Sequence, residues 1–94
     1  MEVRFYLDPD TGDPHIWDHA VTEGEVLDIL RHPGDDFAGT DDSRIALGQT
    51  AAGRYLRVVY VPDRDADSVF VVTAYELKGK PLQAYRRRQR RRRR

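Results

Sequence analysis

The sequence predicts a small α+β domain, with an N-terminal strand and a short helix packed on a three-stranded antiparallel meander, followed by a basic C-terminal helix or tail. Apolar residues alternate at the N-terminus, and a helix-capping signature follows them. Three β-rich runs are then separated by connectors short enough for hairpins. We therefore expect one domain over residues 1–85 of the 94-residue chain and an arginine-rich tail over residues 86–94.

The first element is an amphipathic strand. Val3, Phe5 and Leu7 alternate with more polar residues, which is the period of a strand with one buried face. Two prolines and a glycine lie between residues 9 and 14, so the chain must turn there.

A short helix follows the turn. Thr22 and Glu25 have the T-x-x-E spacing of a capping box, in which each side chain accepts a hydrogen bond from a backbone N–H of the first turn. His32, Pro33 and Gly34 end the helix after about ten residues. A helix of this length is unstable alone in water, so it must pack on the sheet.

The meander comprises the runs Arg44–Gln49, Arg54–Val61 and Ser68–Leu77. The dense apolar residues of the two later runs indicate central strands that are buried on both faces, or that have one face against the helix and the other against the C-terminal segment. The acidic stretch at residues 35–42 is expected to be a loop. Pro81 suits the first turn of a final helix, whose end should fray because its arginines repel one another.

The formal net charge of zero hides two opposite halves of the chain. Up to Leu77 there are sixteen acidic residues and six arginines, and from Lys78 onward there are two lysines, eight arginines and no acid. The absence of cysteine excludes disulfides, thiolate metal sites and cysteine nucleophiles. No apolar stretch approaches the roughly 20 residues of a spanning helix, and no signal pattern opens the chain. We expect a soluble cytoplasmic protein without a membrane partner.

The arginine run is the first candidate binding element. Guanidinium groups match phosphate oxygens bidentately, which favours RNA or the ribosome as partner. A solvated tail, or a tail folded back on the acidic body, remains open. The tail has no aromatic residue on which bases could stack. The candidate RNA-binding residues are Arg86, Arg87, Arg88, Arg90, Arg91, Arg92, Arg93 and Arg94.

Two histidines form the second candidate. His15 and His19 are four residues apart with Asp18 between them, a usable metal spacing if the segment is helical. No third ligand is obvious in the sequence, so no metal site and no cofactor are predicted. His19 could serve as an acid or base near neutral pH, or could simply order the turn into the helix.

Polar side chains on the predicted sheet form the third candidate. Arginine can stabilise the extra negative charge of a phosphorane, and histidine or tyrosine can move protons in RNA cleavage without a metal. The same residues could instead cover apolar surface with their polar ends in water. The set comprises Arg44, Arg54, Arg57, Tyr60, Thr73 and Tyr75.

Three motifs in order resemble the BrnT-like toxin family and a related domain family of unknown function. They are the helix start from His19 to Val26, the hairpin from Gly48 to Val59, and the strand segment from Val71 to Tyr75. The ordered resemblance covers residues 5 to 88. It implies a RelE-like ribonuclease fold, RNA cleavage without a metal, and a cognate antitoxin protein. The longer acidic stretch at residues 8–17 and the nearly pure arginine tail bring the chain closer to the uncharacterised relatives.

The resemblance places the family histidine on His19, the hairpin arginine on Arg54 and the strand threonine on Thr73. We therefore expect a toxin-like protein associated with RNA or the ribosome, with a metal-independent endoribonuclease as the enzymatic hypothesis. In that hypothesis His19 is the acid or base, Arg44 and Arg54 stabilise the phosphorane, and Tyr75 assists. The alternative is a non-catalytic interaction module whose arginine tail binds nucleic acid or an acidic protein.

Overall fold

The computed structural model describes residues 1–63 and 67–92, and it confirms the α+β class. In the described residues, two α-helices and a 3-10 helix accompany one five-stranded mixed sheet. The strands are β1 (Glu2–Phe5), β2 (Asp35–Ala38), β3 (Arg44–Gln49), β4 (Tyr55–Pro62) and β5 (Ser68–Glu76), in the spatial order β1-β5-β4-β3-β2. The helices are the 3-10 helix (His15–His19), α1 (Glu23–Arg31) and α2 (Gly79–Arg92).

The predicted meander is confirmed. β3 pairs with β4 and β4 with β5, both antiparallel, with a register shift between Val59 and Tyr60. β1 adds to the free side of β5 in parallel. It ends at Phe5 rather than at Leu7, which forms an isolated bridge with Pro14 across the proline-rich turn. The 3-10 helix then lies beside the part of β5 that β1 does not reach.

The prediction of a loop throughout residues 35–42 was wrong. Residues Asp35 to Ala38 form the edge strand β2, which pairs antiparallel with β3. Aspartate disfavours strands, but the β3 edge supplies backbone partners for this segment. Tertiary pairing therefore overrides the local preference.

One face of the sheet, here called the core face, packs against α1 and the 3-10 helix. Ile16, Val26, Ile29, Leu56 and Val71 are almost completely buried there. The predicted capping box is present at the start of α1, in which the Thr22 hydroxyl accepts from the Glu25 amide and the Glu25 carboxylate accepts from the Thr22 amide. Gly48 of β3 lets α1 approach, because a Cβ there would lie 3.2 Å from Ile29 Cδ1.

The opposite face, here called the outer face, carries α2 over β3 and part of β4. Leu82 and Tyr85 of α2 pack in a second apolar cluster with Leu47 and its neighbours. Burial decreases from β3 toward β5 along this face: Leu47 is 4% exposed, Phe70 is half-buried and Tyr75 is 37% exposed. Part of the outer face is therefore open to solvent.

Helix α2 continues through the predicted domain boundary at residues 85 and 86 and extends to Arg92. The candidate RNA-binding residues Arg93 and Arg94 lie outside the described residues. None of the helices that the structure describes is long and apolar enough to cross a membrane.

Candidate functional site

Helix α2 is held on the body by side chains that recur every three or four residues along it. Tyr85 is buried, and its hydroxyl group lies so close to Gly34 that a Cβ on Gly34 would overlap it. Gln89 Nε2 donates to the Gly34 carbonyl at 3.2 Å. Arg88 and Arg92 continue this line and both contact Asp35.

The Asp35 carboxylate is the anchor of α2. It is 7% exposed, and a carboxylate at this depth needs charged or hydrogen-bonding partners. Arg88 Nε and Nη2 each lie 2.8 Å from Oδ2, while Arg92 Nη1 lies 2.6 Å from Oδ1. Two arginines of the run thus share the single negative charge of Asp35.

Four other arginines of α2 make no such contact with Asp35. At 3.6 residues per turn, Arg86, Arg87 and Arg90 lie roughly 120–180° around the helix from the side that contacts Asp35, and Arg91 lies about 80° from it. Within the part of the chain that the structure describes, no acidic side chain pairs with any of the four. The guanidinium of Arg86 lies 5.8 Å from the centre of the Tyr55 ring. A cavity of about 290 Å³ opens beside it, lined by Gln49, Tyr55, Tyr85, Arg86, Gln89 and Arg90.

The structure brings together three of the four predicted catalytic residues. The rings of His19 and Tyr75 have centroids 5.9 Å apart. Arg54 lines the same open cavity of about 360 Å³ at the end of β5. Glu76 and Lys78 also line this cavity, so charges of both signs lie within it.

Arg54 is already occupied by the protein itself. Its Nη1 donates to the Ala20 carbonyl at 2.7 Å and to both carboxylate oxygens of Glu25 at 3.1 and 3.2 Å. Its Nη2 lies 3.8 Å from Glu76. Arg54 therefore joins the end of the 3-10 helix, the first turn of α1 and the end of β5, and this arrangement positions His19.

Arg44 lies elsewhere. It is on β3 opposite Tyr60, at the end of the β3–β4 hairpin far from Arg54. Its Nε donates to Asp36 at 2.8 Å, and the Tyr60 hydroxyl donates to the other oxygen of Asp36 at 2.5 Å. Burial and the Asp36 carboxylate raise the pKa of Tyr60 to about 12. The structure therefore places Arg44 in a separate network from His19.

Arg57 was counted among the polar sheet residues but was given no role. It is the cross-strand neighbour of Tyr75, and Thr73 lies two residues before Tyr75 on the same strand. Its Nε is buried without a hydrogen-bond partner, and no ion pair to its guanidinium is present in the described residues. Alternation could have identified it, because the buried Leu56 and Val58 flank Arg57 and place it on the outer face.

The spacing of His15 and His19 suggested a shared face, but the structure groups His15 with two carboxylates instead. Asp8, His15 and Asp18 each bring one ligand atom to within 4.8 Å of the others. A 3-10 helix has three residues per turn, so His15 and Asp18 share a face. One imidazole and two carboxylates are ligands that could hold a divalent ion such as Zn²⁺ or Mn²⁺.

The hydrogen bonds between Arg54 and Glu25 predict that the protein becomes less stable as the pH falls. Burial alone would raise the pKa of Glu25, but hydrogen bonds from the Thr22 amide and from Arg54, with the Arg54 charge, lower it below its usual range. Because folding favours the ionised form, this stabilisation is present at neutral pH and is lost as the pH falls through the folded-state pKa.

We therefore expect the free energy of unfolding, measured with urea between about pH 7 and pH 3, to fall less steeply in Glu25→Gln than in the wild type. Glutamine keeps the capping geometry while removing the charge. Glu23→Gln removes a carboxylate from the same turn without touching Arg54, and should keep the steeper dependence. Equal slopes in all three proteins would contradict the assignment.

The contacts of Asp35 with Arg88 and Arg92 lead to a second prediction. In Asp35→Asn, the charged hydrogen bonds to Arg88 and Arg92 are lost, which should cost about 1–3 kcal/mol of the docking free energy of α2. Trypsin should then cleave within α2 faster, as followed by mass spectrometry. Asp10→Asn makes the same charge change in an exposed turn and should leave cleavage unchanged. Unaltered cleavage in Asp35→Asn would show that this carboxylate does not hold the helix.

Comparison with known proteins found no matching family model, no similar characterised protein and no similar solved structure. The resemblance to BrnT-like toxins therefore stays a prediction, and the proposed function is based on the contacts within this chain.

Proposed function

We propose that this protein binds RNA, holding the phosphodiester backbone along the outward arginines of α2. The observation that supports this proposal is the division of the arginine run. Arg88 and Arg92 share the one carboxylate of Asp35, whereas Arg86, Arg87, Arg90 and Arg91 remain without acidic partners among the described residues.

The helix supplies regular spacing for these cations. Arg86 and Arg90 lie one helical turn apart, about 6 Å along the axis, and both line the cavity beside Tyr55. Docking on Asp35 fixes the helix before any ligand arrives, so less ordering entropy is lost on binding. Planar guanidinium groups held in this way suit bidentate contacts to successive phosphates.

The part of the chain before Lys78 carries all the acidic residues, and their charge restricts RNA binding to α2. Several acids are engaged internally, such as Asp36 with Arg44 and Glu25 with Arg54. The remaining negative surface repels a polyanion, so RNA should approach from the side of α2. Cytoplasmic RNA or the ribosome is the partner that we propose, and an acidic protein is the competing partner.

The proposal predicts a difference between two matched pairs of arginines. Changing Arg86 and Arg90 together to glutamine should reduce the slope of log K against log salt by about 1.4 for single-stranded RNA, since each phosphate contact contributes about 0.7. Changing Arg88 and Arg92 to glutamine removes the same charge from the same helix, but these residues already pair with Asp35. That variant should change the slope less, as measured by fluorescence anisotropy at several salt concentrations.

Equal changes in slope for the two pairs would show that only total charge matters. Absence of any salt-dependent binding in the wild type would overturn the proposal, and binding to an acidic protein would then replace it.

A second candidate function is metal-independent RNA cleavage, which the shared cavity of His19, Arg54 and Tyr75 favours. His19 would transfer the proton. Arg57 is better suited than Arg54 to stabilise a phosphorane, because Arg54 is committed to Glu25 and Ala20. In this candidate function the protein would act as a toxin, and a cognate antitoxin would cover the cavity.

Cleavage is tested with RNA and excess EDTA, alongside inducible expression in growing cells. If the site is catalytic, His19→Ala and Arg57→Gln should each lower the cleavage rate at least about 100-fold. His32→Ala, at the end of α1, is the matched control and should retain the rate. Intact RNA and normal growth with the wild-type protein would exclude the enzymatic candidate and leave the binding proposal standing.

A further inference from the structure

We infer that a row of aromatic rings along the β5 edge, where the outer face meets the 3-10 helix, binds unpaired bases, so that the preferred ligand is single-stranded rather than duplex RNA. The inference rests on the proposed RNA-binding function and adds a second site to it. The row, here called the aromatic row, consists of Phe70, Tyr6, His15, His19 and Tyr75.

The rings follow one another without a gap. Centroid distances are 6.5 Å from Phe70 to Tyr6, 6.0 Å from Tyr6 to His15, 5.2 Å from His15 to His19, and 5.9 Å from His19 to Tyr75. The tail itself has no aromatic residue, but the fold assembles this row from the 3-10 helix, β5 and the residue after β1.

The row is accessible to a ligand. Tyr6 is 41% exposed and Tyr75 is 37% exposed. His15 is half-buried and His19 is exposed. Neither apolar core cluster includes these rings, and a line of rings that reaches the surface in this way marks a contact surface rather than a core.

The aromatic row and the arginines of α2 meet on one side of the sheet. Tyr75 is the cross-strand neighbour of Arg57, and Tyr55 lies two residues before Arg57 on the same face. Diagonal neighbours of this kind are about 7–8 Å apart. Arg86 in turn lies over the Tyr55 ring. A strand of RNA could therefore contact α2 with its backbone and the aromatic row with its bases.

The charges around the row favour a nucleic acid over an apolar protein surface. The guanidinium of Arg4 lies 5.8 Å from the Phe70 ring at one end. At the other end Arg57, which has no acidic partner among residues 1–63 and 67–92, lies beside Tyr75. Cations beside rings suit a ligand that alternates phosphates with flat bases. In a duplex the bases are stacked and paired, so only a single strand can offer their faces to the protein.

The experiment compares a mixed-sequence single-stranded RNA with the same sequence as a duplex, using fluorescence anisotropy at one salt concentration. Tyr6→Ala and Tyr75→Ala should each weaken single-strand binding by about fivefold or more, because that is the smallest typical contribution of a stacked base. Duplex binding and the slope of log K against log salt should hardly change. Tyr6→Phe and Tyr75→Phe keep the ring and should retain binding.

Phe37→Ala is the matched control, because Phe37 is a similarly exposed ring on β2 outside the row. Circular dichroism melts of every variant identify any loss of fold. Tyr6→Leu and Tyr75→Leu keep an apolar side chain but have no ring, so they test the rings even if an alanine variant unfolds, and each should weaken single-strand binding. Equal binding of single strand and duplex, or equal losses on both, would overturn the inference but leave the arginine helix as the RNA-binding element. Absence of salt-dependent binding to either RNA would overturn both proposals.

Discussion

The buried Asp35 carboxylate and its two arginines determine the arrangement of the C-terminal half of this molecule. An isolated run of arginines would repel itself and fray. Here one acid in the body attracts Arg88 and Arg92, which are one turn apart, and Tyr85 packs against Gly34 on the same side of the helix. This docking decides which arginines share the Asp35 carboxylate and which have no acidic partner among the described residues, so the unpaired positive charge lies on one side of α2.

Local patterns predicted those parts of the fold that depend on nearby residues. The T-x-x-E box and the β3–β4–β5 meander are present, because capping needs residues three apart and hairpins need short connectors. β2 could not be predicted in this way, since its aspartates disfavour a strand and its partner strand supplies the stabilisation. The parallel pairing of β1 with β5 joins distant parts of the sequence, such as Val3 with Val69, so no local pattern contains it either.

The candidate site shows the same limit. His19, Arg54 and Tyr75 were predicted as site residues from their residue types. They line one cavity in the structure because the 3-10 helix lies against β5. Arg44 looked equivalent to Arg54 in the sequence, yet its partners are Asp36 and Tyr60 at the other end of the hairpin. Which acid pairs with which arginine depends on the folded positions of the acidic side chains, and no local pattern contains that information.

The short first strand has a consequence for how these molecules behave in a crowded solution. Because β1 stops at Phe5, the 3-10 helix shields the rest of the β5 margin, where a neighbouring chain could otherwise form backbone hydrogen bonds. At the far margin, β2 spans four residues and begins with two aspartates. Edge strands that are short, charged or covered oppose edge-to-edge aggregation. These two edges therefore protect a sheet that is rich in valine from pairing with other chains.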